Sequence, residues 1–399
     1  MADFHNLDNS MPVAPLRIIA MESAKELGAS VDKHLVSFRQ TLHQKPSKDP
    51  AFNEYIKDSY LLNAECPRFA SGEAKAMINE STRGKDIYII TDVCNHSISY
   101  KMYGYTNYMS PDDHYQDLKR VIQAINGKAN RINVIMPFLY EGRQHKRNGM
   151  ESLDAASMFK ELQDMGISNF ITFDAHDPRI SNAAPLGGFD NFMASYQFMK
   201  ALLSKINDLT VDKDHLVVIS PDEGALDRAV YFANVIGADT GMFYKRRDYA
   251  HVVNGTNPIV EHKFLGSGLE GKDAIIIDDM ISSGSSMIDT AKQLKAMHAK
   301  RVFICTTFGL FTDGMEKFDQ AYEKGYFDAV ISTNLIYQQP EVLKRDYYLL
   351  ADMGKFLATI IDFSNHDASF EKVYTPTDKI HNILDKYNLR ESSAEELFD

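Results

Sequence analysis

Nine short runs of mostly β-branched and aromatic residues recur along this chain, at 16–20, 87–91, 132–137, 169–173, 216–220, 241–244, 274–277, 301–306 and 329–332. Within most runs there is almost no alternation between apolar and polar residues, so the strands they predict are buried on both faces. Between them, segments such as 153–165, 225–236 and 286–297 carry apolar residues at spacings of three and four, the helical period. Strands alternating with amphipathic helices predict an α/β architecture: mainly parallel sheets, doubly wound, joined by right-handed crossovers. With 399 residues and roughly 150 residues per domain, two or three domains are expected. The polar stretch 207–214 separates the strands into two groups of four or five. The expected organisation is therefore 1–208, 209–364 and a C-terminal extension, 365–399. Two further segments look like additions: 41–58, polar and proline-bearing, and 95–111, where Tyr100, Tyr103, Tyr105 and Tyr108 crowd together with Met102 and Met109.

Charge and cysteine usage narrow the function classes. Lys and Arg number 43 against 55 Asp and Glu, a formal net charge of −12, which disfavours non-specific binding to nucleic acid or anionic membrane. No apolar run approaches the roughly 18 residues of a membrane helix, and the first nine residues lack the charge and apolar pattern of a signal peptide. Cys66, Cys94 and Cys305 are far apart and in no CxxC pattern, which excludes a disulfide framework or a thiolate zinc site and predicts three buried thiols. The expectation is a cytoplasmic protein.

Ligands of doubly wound sheets sit beyond the carboxyl ends of the strands, and there the segment Ile275-Ile-Ile-Asp-Asp-Met-Ile-Ser-Ser-Gly-Ser-Ser286 is the most informative. An apolar strand delivers two adjacent carboxylates, Asp278 and Asp279, to its end. Ser282, Ser283, Gly284, Ser285 and Ser286 then lead into a helix. Small residues let backbone N–H groups approach an anion, and the helix dipole favours negative charge there. The phosphate of a sugar phosphate fits such a loop, with the two carboxylates accepting hydrogen bonds from sugar hydroxyls or holding Mg²⁺ through water. The alternative is that Asp279 and a nearby serine only cap the helix.

With this motif in view, the chain resembles the ribose-phosphate pyrophosphokinase family. Short matches run in order: Arg68-Phe-Ala-Ser-Gly-Glu73, 133–140 followed by Arg143-Gln144, Phe173-Asp-Ala-His176, Ser220-Pro-Asp222, Lys245-Arg-Arg247 and the 278–286 loop. The resemblance implies two phosphoribosyltransferase-like domains. It implies transfer of the β,γ-diphosphoryl group of ATP to the 1-hydroxyl of ribose 5-phosphate, with Mg²⁺ and a homo-oligomer, a hexamer or its building block. On this pattern Lys245 is the catalytic lysine and Arg247 a second cation near ribose 5-phosphate. Phe69, Ser71, Glu73, Arg143, Gln144 and His176 fall on ATP-binding positions, with Phe69 and Glu73 reaching the adenine of a neighbouring subunit. His176 and Asp222 fall on metal positions. Taken alone, a KRR run is also an ordinary solvated patch, and a lone histidine an ordinary structural one.

Two positions depart from the family pattern: Ser282 where the phosphate loop opens with an acid, and Ser71 where Phe-x-Asp-Gly-Glu is usual. Two other functions stay open at this point. A phosphoribosyltransferase shares the double-Asp loop, and a non-catalytic regulatory homologue would share the fold. The tyrosine-rich segment suggests either a reshaped regulatory interface between subunits or local packing.

Overall fold

A computed structural model describes residues 7, 10–42, 52–247, 259–266 and 268–389. Residues 43–51 of the 41–58 segment and the acidic end from Glu391 lie outside the described residues. The described chain divides into two compact units. The first comprises 1–193, 334–337 and 352–374, and the second 194–333, 338–351 and 375–399. The break expected at 208/209 falls inside the second unit, and residues 354–365 belong to the first.

The first unit is built on a five-stranded parallel sheet in the order β1 (Leu16–Ala20), β4 (Asp86–Ile90), β7 (Arg131–Ile135), β8 (Asn169–Phe173) and β9 (Gly188–Phe192). On the far side of β1, Leu61 forms a parallel bridge with Ile18, so the chain leaves β1 in one direction, returns, and then proceeds in the other. That reversal makes the sheet doubly wound. Helix α1 (Lys25–Leu42) follows β1. Helices α2 (Pro111–Ile125) and α3 (Asp154–Asp164) bury Leu118, Val121, Ile122, Met158 and Phe159 against Ile87, Ile89, Val134 and Phe170. The start of α2 is fixed locally: Asp113 N–H donates to Ser110 Oγ, Ser110 N–H donates back to Asp113 Oδ2, and Pro111 takes the first helical position. Two small ribbons complete the unit, β2 (Ala64–Glu65) with β3 (Met77–Ile78), and β5 (Ser99–Met102) with β6 (Tyr105–Tyr108).

The second unit carries a seven-stranded sheet, ordered β12 (Ile259–Leu265), β11 (Asp239–Arg247), β10 (Leu216–Ser220), β13 (Asp273–Ile281), β14 (Val302–Gly309), β15 (Ala329–Thr333) and β16 (Tyr348–Ala351). All neighbours are parallel except the edge pair β11–β12. Here too the order reverses, at β10 and β13. Helices α4 (Ser195–Lys205), α5 (Leu226–Ile236), α6 (Ser285–Ala296), α7 (Glu316–Glu323) and α8 (Pro340–Leu343) belong to this unit. So does α11 (Thr377–Leu389), whose Tyr387 hydroxyl donates to Ile206 O.

Helix α9 (Gly354–Asn365) returns to the first unit, where Leu357, Ile360 and Ile361 are fully buried and a buried ion pair ties it to α1, and the short α10 (Glu371–Tyr374) follows it there. Arg39 on α1 is fully buried and donates to Asp362 Oδ1 through Nε at 2.9 Å and Nη2 at 2.7 Å. Nη2 also reaches Asn365 Oδ1, at 2.7 Å, and the guanidinium lies over the rings of Tyr55 and Tyr60. Asn365 in turn donates to Asp86 Oδ2, where Arg131 also binds. A charge removed from water is tolerable only when surrounded this way. Among the cysteines, Cys305 is buried as expected, while Cys66 and Cys94 are only half-buried; all three are free thiols.

Removing one partner of the buried pair should expose its cost. Asp362→Ala is expected to destabilise by about 3–5 kcal/mol, the usual penalty for leaving one buried ion alone. The double variant Arg39→Met/Asp362→Leu should recover most of it, as read from urea unfolding followed by circular dichroism.

Candidate active site

In the second unit the sheet itself assembles the candidate residues. Strands β10 and β13 are paired neighbours, with Ile219 opposite Ile276, so the residues after each run arrive at one end of the sheet. After β10, Ser220 Oγ donates to Asp222 O at 2.5 Å and Gly224 N–H donates to Asp222 Oδ1 at 2.9 Å, fixing the Ser-Pro-Asp turn. Strand β13 runs longer than the apolar pattern predicts, through Asp278 and Asp279 to Ile281, because β14 also extends and pairs Asp278 with Thr306 and Ile281 with Gly309. Asp279 is buried and donates its N–H to Asp278 Oδ1 at 2.9 Å. Arg228, from the first turn of α5, stands 3.4 Å from the Asp278 carboxylate.

These charges do not balance. Burial pushes the Asp278 carboxyl well above the usual carboxylate range; the carboxylates of Asp279 and Asp222 push the same way, and Arg228 only partly opposes them. An end of a sheet with three carboxylates and one guanidinium suits a ligand rich in hydroxyl donors, or a cation. Arg228 is not part of any motif in the sequence, although it is the sole cation between residues 220 and 236; that isolation beside a carboxylate cluster is the signal that could have found it.

The phosphate loop follows directly. Helix α6 begins after Gly284, whose φ of +80° lies in the left-handed region and which has no side chain with which to cap the helix. Gly284 is required twice, since a Cβ there would also lie 2.2 Å from the ring of Phe318. Thr312 N–H donates to Ser282 O at 3.0 Å and holds the start of the loop. Ser282 and Ser283 are half-buried, and Ser285 and Ser286 are exposed in the first turn, where backbone N–H groups have no intrahelical acceptor. Lys245 and Arg247 lie at the end of β11, beside β10 and parallel to it, and pair with His262 and Ile259 of β12; the register shifts between Arg246 and Arg247.

In the first unit the ATP candidates fall on three loops. A β-bridge between Arg68 and Ala74 closes the first. Inside it Phe69 N–H donates to Glu73 O at 2.7 Å, Gly72 N–H donates to Phe69 O at 2.9 Å, and Ser71 Oγ donates to Glu73 Oε2 at 2.9 Å. Phe69 is left 53% exposed, unusual for so large an apolar ring. The second loop, after β7, exposes Arg143. Gln144 is half-buried, and its Nε2 donates to Lys146 O and Ser152 O and ties that loop down.

The third loop, after β8, exposes His176. Asp174 with φ +40° is held by Phe192 O, and Asn191 Oδ1 accepts from Ala175 N–H. His145 joins the site unannounced by any motif: its ring is 5.9 Å from that of His176, and its Nε2 is 3.0 Å from Asp177. Hydrogen bonds from Arg179 hold the Asp177 carboxyl down, at about 2, and His145 adds to this. Its position next to Arg143-Gln144 is the clue the sequence offers. No group of three or more His, Cys, Asp or Glu converges on a metal position among the described residues. The carboxylate oxygens of Asp222, Asp278 and Asp279 are the hard donors that Mg²⁺ prefers. No helix among the described residues is long and apolar enough to cross a membrane.

Residues 16–166 match the N-terminal domain of ribose phosphate pyrophosphokinase, and 189–345 match the phosphoribosyl transferase domain. The chain is 31% identical over 288 residues to the ribose-phosphate pyrophosphokinase of Thermosipho africanus, spanning 71% of this chain and 83% of that protein. It is 30% identical over 276 residues to that of Mycoplasma genitalium, spanning 68% and 75%. The fold is similar to the crystal structure of phosphoribosylpyrophosphate synthetase from Mycobacterium smegmatis, with a TM-score of 0.67 at 22% identity, covering 88% of this chain and 99% of that one.

The surplus of carboxylates gives a stability prediction. A folded-state pKa raised above the unfolded value means the folded protein holds a proton the unfolded chain has lost. Stability from that source is full below the ordinary Asp range and is lost as pH rises through the raised folded pKa. Asp278→Asn should therefore melt at a higher temperature than the parent at pH 8, with the gap shrinking towards pH 5. Thermal unfolding across that range is the measurement; a gap independent of pH would refute the assignment.

Proposed function

The chain belongs to the ribose-phosphate pyrophosphokinase family, and on that footing we propose that it transfers the β,γ-diphosphoryl group of ATP to the 1-hydroxyl of ribose 5-phosphate, releasing AMP and phosphoribosyl diphosphate. The observation that carries the acceptor side is the second unit's own construction: a carboxylate pair on β13 leading, through a loop of serines and Gly284, straight into the N-terminus of α6. The first-turn amides of α6, with Ser282, Ser283, Gly284, Ser285 and Ser286, bind the 5-phosphate. Asp278 and Asp279 accept hydrogen bonds from the ribose hydroxyls, which offsets the clustering of like charge.

On the donor side, Phe69 offers an apolar ring to the adenine and Glu73, oriented by Ser71, an acceptor. Arg143 supplies a guanidinium fork for phosphate. His176 stands at the triphosphate, with His145 supporting it. Gln144 keeps the Arg143 loop in place. Mg²⁺ carried by ATP would neutralise charge on the phosphates; in the first unit His176 would meet such an ion through water, and in the second unit Asp222 would offer one an oxygen. Lys245 and Arg247 are the cations that stabilise charge on the moving diphosphoryl group. Phosphoryl-type transfer is mainly in-line positioning and charge neutralisation, so fixed and mobile cations are what the chain must contribute. The Asp-Asp loop also suits a phosphoribosyltransferase, but the family membership favours the diphosphokinase. The enzyme is proposed to be cytoplasmic and a homo-oligomer.

Incubated with ATP, ribose 5-phosphate and Mg²⁺, the protein should form AMP and phosphoribosyl diphosphate in equal amounts, followed by anion-exchange chromatography. Omitting ribose 5-phosphate should abolish AMP formation. Lys245→Ala should lower turnover by about 10²–10³-fold, as loss of a transition-state charge partner does, without changing the thermal midpoint. Folded protein that forms no AMP across several phosphate concentrations would point to a regulatory homologue.

A further inference from the structure

The β5–β6 hairpin, the tyrosine-rich addition, is packed against the Arg68–Ala74 loop at several points. Gly72 sits so close to Met102 that a Cβ there would lie 2.5 Å from Met102 Sδ, and 3.7 Å from the Tyr100 ring. Tyr103 N–H donates to Ala70 O at 3.2 Å. Arg68, where the loop begins, stacks over Tyr100 at 4.8 Å and is held by Asp117 Oδ2 at 2.7 Å. Its Nη2 is also 3.8 Å from Met109 Sδ, just past the hairpin. Alternation along β5 explains the arrangement: Tyr100 and Met102 are half-buried, whereas Ser99 and Lys101 between them are exposed.

The hairpin turn shows the same dependence. Tyr103 and Gly104 have φ of +48° and +82°, the two left-handed residues of a tight type I′ turn. Glycine accepts that conformation freely and a bulky tyrosine rarely does. The bond from Tyr103 N–H to Ala70 O is one contact that holds it there, so the turn and the loop fix each other.

We propose that this hairpin is a positioning element for the donor nucleotide: Met102 and Tyr100 form the floor on which the Phe69–Glu73 loop is set, and so govern the affinity for ATP. The inference rests on reading Phe69 and Glu73 as nucleotide contacts. A loop whose own closure is a few backbone bonds would otherwise have to be ordered by the ligand, at a loss of affinity. Neither Met102 nor Tyr100 touches substrate in this scheme; they act through the backbone of the loop.

The test separates the two layers with four variants, assayed for AMP formation and for ATP binding by calorimetry. Met102→Ala should raise KM and Kd for ATP about tenfold while leaving kcat and the KM for ribose 5-phosphate within about twofold. Met102→Leu, which refills the floor, should restore both. Excision of residues 99–108 through a Gly-Gly link should do at least as much as Met102→Ala. The ends are suited to joining, since Met109 N–H already donates to Ile98 O at 2.9 Å. Phe69→Ala reports on the underlying reading. If it weakens ATP while Met102→Ala does not, the positioning role is overturned and the nucleotide loop stands. If Phe69→Ala leaves ATP affinity unchanged, the loop reading fails and the proposal with it. Equal rises in both substrates' KM would also overturn it, as general destabilisation. Should the excised protein fail to fold, the Met102 pair decides alone.

Discussion

The pairing of β10 with β13 is the constraint on which the second unit depends. Both strands are buried on their two faces, from Leu216 to Ser220 and from Asp273 to Ile277. Parallel neighbours buried on both faces cannot slide without exposing apolar side chains. Their register is therefore fixed, and so is the level at which each changes from apolar to polar. Because the sheet reverses its winding between these strands, the loops that come after them diverge and leave space at that end. Asp222, Asp278 and the serine loop lie where they do as a consequence of this, and Lys245 and Arg247 follow from β11 on the other side of β10.

Electrostatics in that space works against folding. A buried Asp278 beside Asp279, with Asp222 near and Arg228 only 3.4 Å from one of them, is a cluster the protein holds at a cost. Such a cost persists where ligand contacts recover it, and on the proposed reading the hydroxyl groups of ribose 5-phosphate would supply the donors the carboxylates lack. The departure at Ser282 fits the same balance of charge. An acidic residue opening the loop would add a fourth carboxylate beside a bound phosphate, whereas serine contributes a hydroxyl 3.5 Å from Thr312 Oγ1 and a carbonyl fixed by the Thr312 amide.

Much of this is legible in the residues because buried parallel strands announce themselves by composition. The apolar runs 169–173 and 216–220 coincide with β8 and β10 to the residue. The run at 274–277 locates β13 but not its polar end, since the pairing that extends it comes from β14. None of the nine runs marks β9, β12 or β16: Gly188–Phe192 is mixed in character, Tyr348–Ala351 is apolar but only four residues long, and β12 is an antiparallel edge strand. The return of α9 to the first unit is not legible either. The ion pair that ties it there joins Arg39 and Asp362, 323 residues apart, and no local pattern pairs them. Nor can spacing reveal that Gln144 is engaged by Lys146 O and Ser152 O.

Ser71 shows how a departure from a family pattern can be absorbed locally. An aspartate at this position would place its carboxylate beside that of Glu73, in a loop already tightened by the Phe69 and Gly72 backbone bonds. Serine instead donates to Glu73 Oε2 at 2.9 Å, converting a repulsive pair into an oriented one. The same loop is backed by Met102 and Tyr100 from the hairpin. Loss of one charge and gain of one structural support thus act on the same few residues, and both leave the Glu73 carboxylate and the Phe69 ring more firmly placed. The hairpin addition and the Ser71 substitution thus meet in one loop, which on the proposed reading is a nucleotide loop held less by charge and more by packing.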